Sequence, residues 1–442
     1  MTTLTAMPKY EIYKDSGVES LGEIPRLWST HRFRYIFSFG KGLTITKENL
    51  HEAGVPCVNY GEVHSKFGFE LDLSKHTLKC VNEKYLDSNP KSLLSVGDFV
   101  FADTSEDIEG SGNFTQLVSE GLVFAGYHTV VAKPIKGNNN RYIAYVLDSH
   151  SYRRQIWKAV KGVKVFSITK TMLKNTHMWL PHASEQTAIA NFLDKKTTQI
   201  DEAISIKKNQ IFLLKEHKQI IIQKTVTQGL NPNVPMKDSG VDWIGKIPAH
   251  WKVRRVKHLF RLVMEPSEKN NSHELLSVYT SIGVKPRREL EERGNKASTT
   301  DGYWLVRKGD IVVNKLLAWM GAIGISDYDG VTSPAYDILR SKVELNGYFY
   351  HLLFRSSFCS SELKRHSRGI MDMRLRLYFD RFGVVEVPYP PITEQNEIIN
   401  QIHSKMAIIN EGIDKLQQQI KNLKEYKTTL INSAVIGKIK VA

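Results

Sequence analysis

With 442 residues, the chain is too long for one ordinary hydrophobic core, so two or more domains are expected. Hydrophobic residues make up 41% of it and charged residues 24%, as in ordinary globular proteins, which argues against a disordered chain. The 61 Lys and Arg residues outnumber the 46 Asp and Glu residues by 15, a surplus that suits a polyanion, with nucleic acid ahead of an anionic membrane. A merely basic protein is the alternative.

The cysteines and the first residues bear on the compartment. Cys57, Cys80 and Cys359 lie far apart and show neither a zinc-binding spacing nor an even disulfide framework. This pattern is typical of a reducing compartment, so a cytoplasmic location is expected. The first residues lack the pattern of a secretory signal, and no run reaches the ~18 apolar residues of a membrane span. A membrane partner is therefore disfavoured.

A sequence motif near the start of the chain, called here the repeated phrase, occurs again in its middle. Residues 14–28 and 237–251 agree at nine of fifteen positions at a constant offset of 223. Chance would give about one agreement at ordinary composition. Each phrase contains an Asp-Ser-Gly step that favours a turn and ends on a tryptophan, Trp28 or Trp251, which is predicted to anchor the base of a domain.

A second repeat, at an offset of 209, leads into two long segments that end near Gly229 and Gly437. Apolar residues recur in them at spacings of seven, which predicts a narrow coiled-coil seam rather than the broad stripe of a helix on a globular core. The seam positions are Leu193, Ile200, Ile204, Ile211, Leu214 and Ile221 in the first copy and Ile409, Ile413, Leu416, Ile420, Leu423 and Leu430 in the second. The two helices are predicted to pair antiparallel, and dimerisation between chains is the alternative. Lys207, Lys218 and Lys427 interrupt the seam and are expected to snorkel.

The stretches between the repeats differ in sequence but share a pattern. Residues 30–178 and 253–386 are rich in short β-type runs separated by Gly and Asn turns. Both contain a Gly-Asp step before a strand, at Gly97 and Gly309, and both are predicted to end in one short helix, near residues 143–160 and 348–366. The difference between the offsets, 223 − 209, makes the second stretch fourteen residues shorter.

The predicted fold class is α+β. Two similar mixed α/β domains are separated by two long helices that form an antiparallel coiled coil, in an internal pseudo-two-fold duplication. The predicted boundaries are 1–180 for the first domain with its phrase, 181–230 for the first long helix, 231–388 for the linker, phrase and second domain, and 389–442 for the second long helix and tail.

Motifs of catalysis are missing from the sequence. It contains no GxxxxGK[ST] phosphate loop, no HExxH or DxDxDG metal motif and no Asn-Pro-Pro-Tyr-like step of an amino-methyltransferase. Residues 362–364 match a nuclease ExK pattern that a charged helix produces by chance. We therefore predict a chain without catalytic residues or a metal site. Two similar basic domains suit the reading of two half-sites on duplex DNA.

Several phrases together resemble the specificity (S) subunit of type I restriction–modification enzymes over essentially the full length. They are the two repeated phrases, Pro-Tyr-Pro-Pro-Ile-Thr-Glu-Gln at 388–395, Lys-Gly-Asp-Ile-Val-Val-Asn-Lys at 308–315, Trp-Met-Gly-Ala-Ile-Gly at 319–324, Ser-Pro-Ala-Tyr at 333–336 and Ala-Val-Ile-Gly-Lys at 434–438. The first copy departs from the usual helix ending and reads Thr-Val-Thr-Gln-Gly at 225–229.

The resemblance implies two target-recognition domains, each reading one half of a bipartite asymmetric DNA site, and a helical pair that sets the unspecified spacer. It implies two modification (methyltransferase) subunits and restriction subunits as partners. Adenine methylation and ATP-dependent cleavage then belong to the partners, together with S-adenosylmethionine, ATP and Mg. No cofactor is expected in this chain.

Candidate DNA contacts are polar, basic or aromatic residues of the divergent stretches, because Arg, Lys, Asn and Gln pair with base edges and cations pair with phosphates. In the first stretch they are Lys41, Thr44, Asn59, Tyr60, His64, Lys66, and Asn113 and Gln116 from a loop at 110–116. In the second they are Tyr279, Lys285, Arg287, Arg288, Asn314, Lys315, Trp319, Arg368, Arg374 and Arg376. A solvated or phosphate-bound side chain is the alternative for each, and packing is the alternative for Trp319.

The repeated residues are candidates for docking two identical partners, because two equivalent surfaces need the same sequence twice. They are Trp28, Trp251, Glu185, Gln186, Glu394 and Gln395. Packing alone is the alternative. Rival functions are a stand-alone DNA-binding regulator, a structural coiled-coil protein and an enzyme with an unrecognised nuclease site.

Overall fold

The computed structural model describes residues 7–135, 137–160, 162, 164–289, 299–370 and 374–441. The chain divides into two compact units, one formed by Met1–Ile206 with Gln418–Ala442 and the other by Lys207–Gln417. Each unit contains one α/β domain and a part of each long helix. Among the residues that the structure describes, none of the helices combines the length and the apolar character of a membrane span.

The first half of the chain is a β-rich domain followed by a long helix. Its strands are β1 (Tyr13–Asp15), β2 (Glu23–Pro25), β3 (Ser29–Arg32), β4 (Phe37–Lys41), β5 (Val55–Val58), β6 (Phe69–Leu71), β7 (Cys80–Val81), β8 (Leu93–Leu94), β9 (Phe99–Ala102), β10 (Thr104–Ser105), β11 (Phe114–Leu117), β12 (Val123–Ala125), β13 (Thr129–Pro134), β14 (Phe166–Ser167) and β15 (His177–Leu180). Its helices are α1 (Tyr60–Ser65), α2 (Tyr85–Ser88), α3 (Asn140–Asp148), α4 (His150–Ala159), α5 (Lys170–Asn175) and the long α6 (Ala183–Gln228).

The second half repeats this plan with fewer strands among its described residues. The strands are β16 (Met236–Asp238), β17 (Lys246–Pro248), β18 (Lys252–Arg255), β19 (Phe260–Val263), β20 (Leu276–Tyr279), β21 (Gly283–Pro286), β22 (Trp304–Val306), β23 (Ile311–Asn314), β24 (Ile323–Ile325), β25 (Gly330–Thr332), β26 (Tyr336–Ser341) and β27 (Glu386–Tyr389). The helices are α7 (Val256–Leu259), α8 (Gly347–Phe354), α9 (Ser357–His366), α10 (Phe379–Phe382) and the long α11 (Ile392–Val435).

The two domains share the order of four sheet strands. In the first domain β4, β13, β9 and β11 lie side by side, and in the second β19, β26, β23 and β24 do so. Every neighbouring pair among these strands is antiparallel. The first domain adds β6 and a separate sheet of β7, β5, β12 and β8, whereas the second has the hairpin β20–β21 and the pair β22–β25. The predicted similarity is confirmed at the centre of the sheet, and the domains diverge around it.

The Gly-Asp step has the same structural role in both domains. Its glycine has a φ of 93° in the first domain and 94° in the second, which residues with a side chain rarely adopt. The carboxylates of Asp98 and Asp310 each accept a hydrogen bond of 2.9 Å from the backbone N–H three residues earlier. Asp98 pairs with Lys133 at 3.1 Å, and Asp310 pairs with Arg340 at 2.9 Å. The step therefore fixes the same turn before β9 and β23.

The prediction of one short helix at the end of each domain is wrong, because two helices lie there. Ser149 separates α3 from α4, and Ser356 lies between α8 and α9. Both serines have extended backbone, with ψ of 144° and 147°, which ends the first helix of each pair. Each serine hydroxyl also donates to the carbonyl three residues earlier, at 2.6 and 2.5 Å.

The repeated tryptophan of each domain contacts the long helix that follows it. Trp28 Nε1 donates to Glu185 Oε2 at 3.3 Å, and Trp251 Nε1 donates to Glu394 Oε2 at 2.8 Å. Both indole rings are buried, at 1% and 0% exposure. The same two side-chain types therefore join each domain to the start of its own long helix.

The glutamine next to each of these glutamates completes the junction. Gln186 Oε1 accepts from the backbone N–H of Asn139 at 2.9 Å, and Gln395 Oε1 accepts from that of Asn346 at 2.9 Å. Each amide nitrogen donates to a proline carbonyl five residues earlier, at 3.0 and 2.9 Å. We call these sets the first latch (Trp28, Glu185, Gln186) and the second latch (Trp251, Glu394, Gln395).

The two long helices are antiparallel, as predicted. In the first unit, Lys427 Nζ on α11 contacts the carboxylate of Asp201 on α6 at 2.6 Å. In the second unit, Lys218 Nζ donates to Asn410 Oδ1 at 2.8 Å. Residue numbers thus rise along α6 as they fall along α11. Both lysines occupy seam positions and extend out to polar partners, which is the expected snorkelling.

The predicted seam is buried along both helices, which confirms the coiled-coil pattern. Its fully buried members are Leu193, Ile200, Ile204, Ile413, Leu423 and Leu430, and its half-buried members are Ile211, Leu214, Ile221, Ile409, Leu416 and Ile420. The first unit's part of the seam continues into the main core of the first domain. In this unit the seam is therefore continuous with the domain core. The seven-residue spacing of apolar residues was sufficient to predict the seam.

Candidate nucleic-acid interface

Three predicted DNA contacts line one cleft of about 700 Å³ in the first domain. Tyr60 and His64 lie on α1, and Asn113 lies just before β11. His64 Nε2 lies 2.8 Å from the carbonyl of Thr104, and Nδ1 lies 2.9 Å from Asn113 Nδ2. Since an amide nitrogen donates and a carbonyl accepts, these partners match the imidazole tautomer that carries its proton on Nε2.

Carboxylates also line this cleft, and none of them is among the predicted DNA contacts, which are polar, basic or aromatic residues. Glu106, Asp107 and Glu109 are exposed residues that line it. A carboxylate accepts a hydrogen bond from the exocyclic amine of cytosine, whereas it repels a phosphate. The cleft therefore suits a base edge better than the DNA backbone.

Two predicted DNA contacts of the first domain are buried. Gln116 lies on β11, is 2% exposed and donates to the carbonyl of Asn140 at 3.0 Å. Asn59 is 3% exposed, and its side chain accepts from the backbone N–H of Tyr127 at 3.3 Å. The predicted loop at 110–116 ends where β11 begins at Phe114. Both amides bind partners inside the domain in this conformation, and their roles as DNA contacts stay predictions.

The other predicted residues of the first domain are on its surface. Lys41 ends β4, Thr44 follows in the next loop, and Lys66 comes directly after α1. All three are exposed. Their roles as DNA contacts stay predictions.

Four predicted DNA contacts of the second domain belong to the hairpin β20–β21 and the turn after it. They are Tyr279 at the end of β20, Lys285 on β21, and Arg287 and Arg288 in the turn Arg287–Glu289. Lys285 Nζ donates to Tyr328 OH at 2.9 Å, and Arg288 Nε lies 3.2 Å from the carboxylate of Glu274. The hairpin thus brings three cations and a tyrosine together.

A second group follows β23. Asn314 is 9% exposed, and its side chain accepts from the backbone N–H of Leu316 at 3.1 Å. Lys315 Nζ lies 3.2 Å from Asp337. Burial raises the pKa of Asp337, and the nearby lysine opposes that rise. In this conformation Asn314 stabilises the turn and Lys315 is paired with Asp337, and their roles as DNA contacts stay predictions.

Trp319 packs against the domain as well as facing outward. It is half-buried, and Lys364 Nζ lies 4.8 Å from the centre of its ring. This cation–π geometry contributes about 0.5–1 kcal/mol at an exposed site. Most of the indole surface is thus covered by packing within the domain, which was the alternative to a DNA contact.

Arg368, Arg374 and Arg376 are exposed and near one another in the chain. Two backbone hydrogen bonds of 2.9 Å join Arg368 to Arg376. The backbone N–H of Leu377 donates to the carbonyl of Lys315 at 2.8 Å, which places this basic segment beside the turn after β23. Phosphate neutralisation is the chemistry that such exposed arginines suit.

The six predicted docking residues form the two latches. Trp28, Trp251, Gln186 and Gln395 are at most 2% exposed, and Glu185 and Glu394 are half-buried. Their polar atoms bind groups of the same unit. Docking of partners at these residues stays a prediction. The four buried side chains could contribute to docking only by supporting the surface above them.

A metal centre finds no support in the described ranges, where no group of three His, Cys, Asp or Glu side chains is arranged to hold an ion. Cys57, Cys80 and Cys359 are buried free thiols. Burial raises the pKa of Cys57 to about 12, so its thiol is not a nucleophile at neutral pH.

Comparison with known sequences agrees with this architecture. Residues 25–213 match the family model "Type I restriction modification DNA specificity domain". "Putative type I restriction enzyme MjaX specificity subunit" of Methanocaldococcus jannaschii is 23% identical over 443 residues, which cover 98% of both chains. "Type I restriction enzyme EcoDI specificity subunit" of Escherichia coli is 21% identical over 356 residues, covering 75% of this chain and 76% of the relative.

Two solved structures share the fold. A chain from a study of complex assembly and conformational transition of the type I R-M system has a TM-score of 0.63 at 14% identity, covering 94% of this chain and 99% of the other. The HsdS subunit from Thermoanaerobacter tengcongensis has a TM-score of 0.53 at 14% identity, covering 94% and 98%.

Duplicated α/β domains with divergent loops, each joined to the same pair of long antiparallel helices, are the architecture that these solved structures share. The family match over residues 25–213 and the relative aligned over 98% of both chains make the chain similar to the specificity subunits of type I restriction–modification systems.

Proposed function

We propose that the chain is the DNA-recognition subunit of a type I restriction–modification complex, in which each domain reads one half of a bipartite asymmetric site. The observation that supports the proposal is that the two domains share one scaffold but have different loops around it, and we call these loops the rim of each domain. The four-stranded sheet and the latch occur in both units, whereas the loops around the sheet carry different side chains. A scaffold that repeats while its loops diverge suits two unlike DNA sequences.

The two rims suit different base contacts. The first domain offers the cleft of Tyr60, His64 and Asn113 with its carboxylates, which fits amino groups on base edges. The second offers arginines and lysines on the hairpin β20–β21 and the segment near Arg376, which fit guanine edges and phosphates. The net charge of +15 supports affinity through release of counterions from DNA.

The proposal assigns the chemistry to partner subunits. This chain would bind two modification subunits and restriction subunits in the cytoplasm, and those would supply adenine methylation and ATP-dependent cleavage. S-adenosylmethionine, ATP and Mg would then be bound by the partners. The latches, repeated in sequence, would support the two equivalent docking surfaces.

The helical pair is proposed to set the number of unspecified base pairs between the half-sites. Residues 211–217 of α6 and 411–417 of α11 lie alongside each other in the second unit, as the contact between Lys218 and Asn410 indicates. Duplicating both heptads adds about 10 Å of helix and preserves the seam. The gap is expected to grow by at most about three base pairs, since base pairs are about 3.4 Å apart.

The direct test is methylation mapping of host DNA by long-read sequencing, with and without the gene for this chain and with its modification subunits present. The expected result is one bipartite motif that is methylated only when this chain is expressed. The duplication of both heptads should keep both half-sites and lengthen the gap. A changed half-site with an unchanged gap would contradict the spacer assignment, and a motif that persists without the chain would contradict the function.

A further inference from the structure

Arg355, at the end of α8, joins two loops of the second domain. Its Nη1 donates to the carbonyls of Gly321 at 2.7 Å, Ile323 at 3.2 Å and Tyr279 at 3.3 Å. Its Nη2 donates to the carbonyl of Thr280 at 2.8 Å. One guanidinium therefore bonds both the tip of the hairpin β20–β21 and the turn between Trp319 and β24.

The rest of α8 supports the same two elements. His351 lies one helical turn before Arg355, and its Nδ1 accepts from the backbone N–H of Ile325 on β24 at 3.2 Å. A side chain at Gly283 or Gly324 would come within 3.1 or 2.7 Å of the imidazole, so the ring packs between β21 and β24. The hairpin and the turn are thus held by one helix face at fixed positions.

These loops carry predicted DNA contacts of the second domain. Tyr279 lies at the hairpin tip, and Trp319 lies two residues before Gly321. The hydrogen bonds of Arg355 go to backbone carbonyls, so they position these loops without occupying the side chain of Tyr279 or Trp319. Burial lowers the pKa of Arg355, but a guanidinium stays charged at neutral pH.

The first domain uses a different arginine at this place in the fold. Asn139 and Asn346 are equivalent, because each donates its backbone N–H to the glutamine of its latch, and they are 207 residues apart. At this offset, Asp148 of the first domain corresponds to Arg355 of the second. Arg153 on α4 contacts both the Asp148 carboxylate, at 3.9 Å, and the Asn113 side-chain oxygen. The arginine of the first domain therefore supports the cleft through Asn113 rather than through backbone carbonyls.

We propose that Arg355 is a positioning residue that sets the sequence discrimination of the second half-site alone. The inference rests on the proposed function. An ammonium group has no planar fork, so Arg355→Lys can bond one loop but not both. Arg355→Gln is neutral and too short to bond both. Misplacing a base-reading group relaxes discrimination rather than abolishing phosphate-driven affinity.

The test uses the full chain assembled with its modification subunits, on duplexes that carry the mapped site or one base change in either half. Methylation rates give a discrimination ratio for each half. Arg355→Gln is expected to lower the ratio at the second half by about tenfold, the size of one good base contact, and Arg355→Lys by less. The ratio at the first half should stay within twofold for both, which also shows that the assembly is folded.

Two matched variants sharpen the test. Arg153→Lys should lower only the first-half ratio, and Arg365→Lys, at a mostly exposed arginine on α9, should change neither. An unchanged second-half ratio in Arg355→Gln, or an equal loss at both halves, would overturn the inference. If the wild-type assembly does not discriminate between the half-sites and their single-base variants, the proposed function is wrong. If the wild type discriminates but Arg355→Gln has the same second-half ratio, only the inference about Arg355 is wrong.

Discussion

The first and second domains have the same junction but different supports for their loops. Trp, Glu and Gln form the latch in each: the Trp–Glu hydrogen bond is 3.3 Å in the first and 2.8 Å in the second, and both glutamines accept from an asparagine N–H at 2.9 Å. Beneath the loops, the first domain has Ala144 and Asp148 where the second has His351 and Arg355. The repeated residues are thus those that attach a domain to its helix, and the divergent ones support the loops that are proposed to face DNA.

The largest expected effect tests whether the two latches are equivalent. Trp28→Ala and Trp251→Ala each empty a buried indole site and should lower the free energy of unfolding of their own unit by about 3–5 kcal/mol. Urea denaturation followed by circular dichroism measures both. If one tryptophan costs less than half as much as the other, the latches are not equivalent in energy.

The glutamines give a smaller version of the same comparison. Gln186→Ala and Gln395→Ala leave the backbone N–H of Asn139 or Asn346 without its acceptor. An unsatisfied buried donor costs about 1–3 kcal/mol, so both variants should unfold at lower urea by similar amounts. Thr187→Ala, at an exposed position beside Gln186, is the control and should cost less than either.

Acid should distinguish the two domains, because the second holds His351. Burial lowers the pKa of His351 from its usual 6.5 to about 4, with Arg355 adding to the shift and Asp327 opposing it. Between these two values the unfolded chain binds a proton that the folded domain does not, so stability is lost as the pH falls from 6.5 towards 4.

The expected loss from this residue is about 1–2 kcal/mol between pH 7 and pH 5. His351→Gln keeps an acceptor for the Ile325 N–H but does not titrate. Thermal unfolding of both proteins across this range should show a weaker pH dependence in the variant. Equal slopes would show that His351 is not held neutral.

The smallest expected effect concerns the Gly-Asp step. The first domain pairs its aspartate with Lys133, and the second uses Arg340, which also bonds Glu265 at 2.9 Å. Arg340→Lys keeps the pair with Asp310 but loses the fork, and should cost about 1 kcal/mol or less. Lys133→Arg should change stability by less than that in chemical denaturation. A loss above about 3 kcal/mol in Arg340→Lys would mean that the two steps are not interchangeable.

Features encoded by neighbours in sequence could be predicted. The seam of α6 and α11 follows from a seven-residue period, and the duplication follows from two repeats with constant offsets. The sequence did not indicate that the helix predicted at the end of each domain is divided in two. Ser149 and Ser356 are compatible with a helix interior, and only their extended backbone shows that a helix ends there.

Features that depend on distant contacts could not be predicted. Thr115 and Gln116 are typical of an exposed loop or strand, but the packing of other elements around β11 buries them. The carboxylates of the first cleft meet Tyr60 and His64 only through folding. Arg355 contacts carbonyls between 32 and 76 residues away, and no local pattern encodes such contacts.

Each domain is proposed to read one half-site from a shared scaffold. Residues 33–176 and 256–385 lie between equivalent strand pairs, since Arg32 pairs with His177 and Arg255 pairs with Glu386. A chain with 256–385 in both places keeps both latches. Methylation mapping should then show a symmetric site made of the second half-site and its inverted copy. Retention of the original asymmetric site, or of its first half, would show that the domains do not each read one half-site.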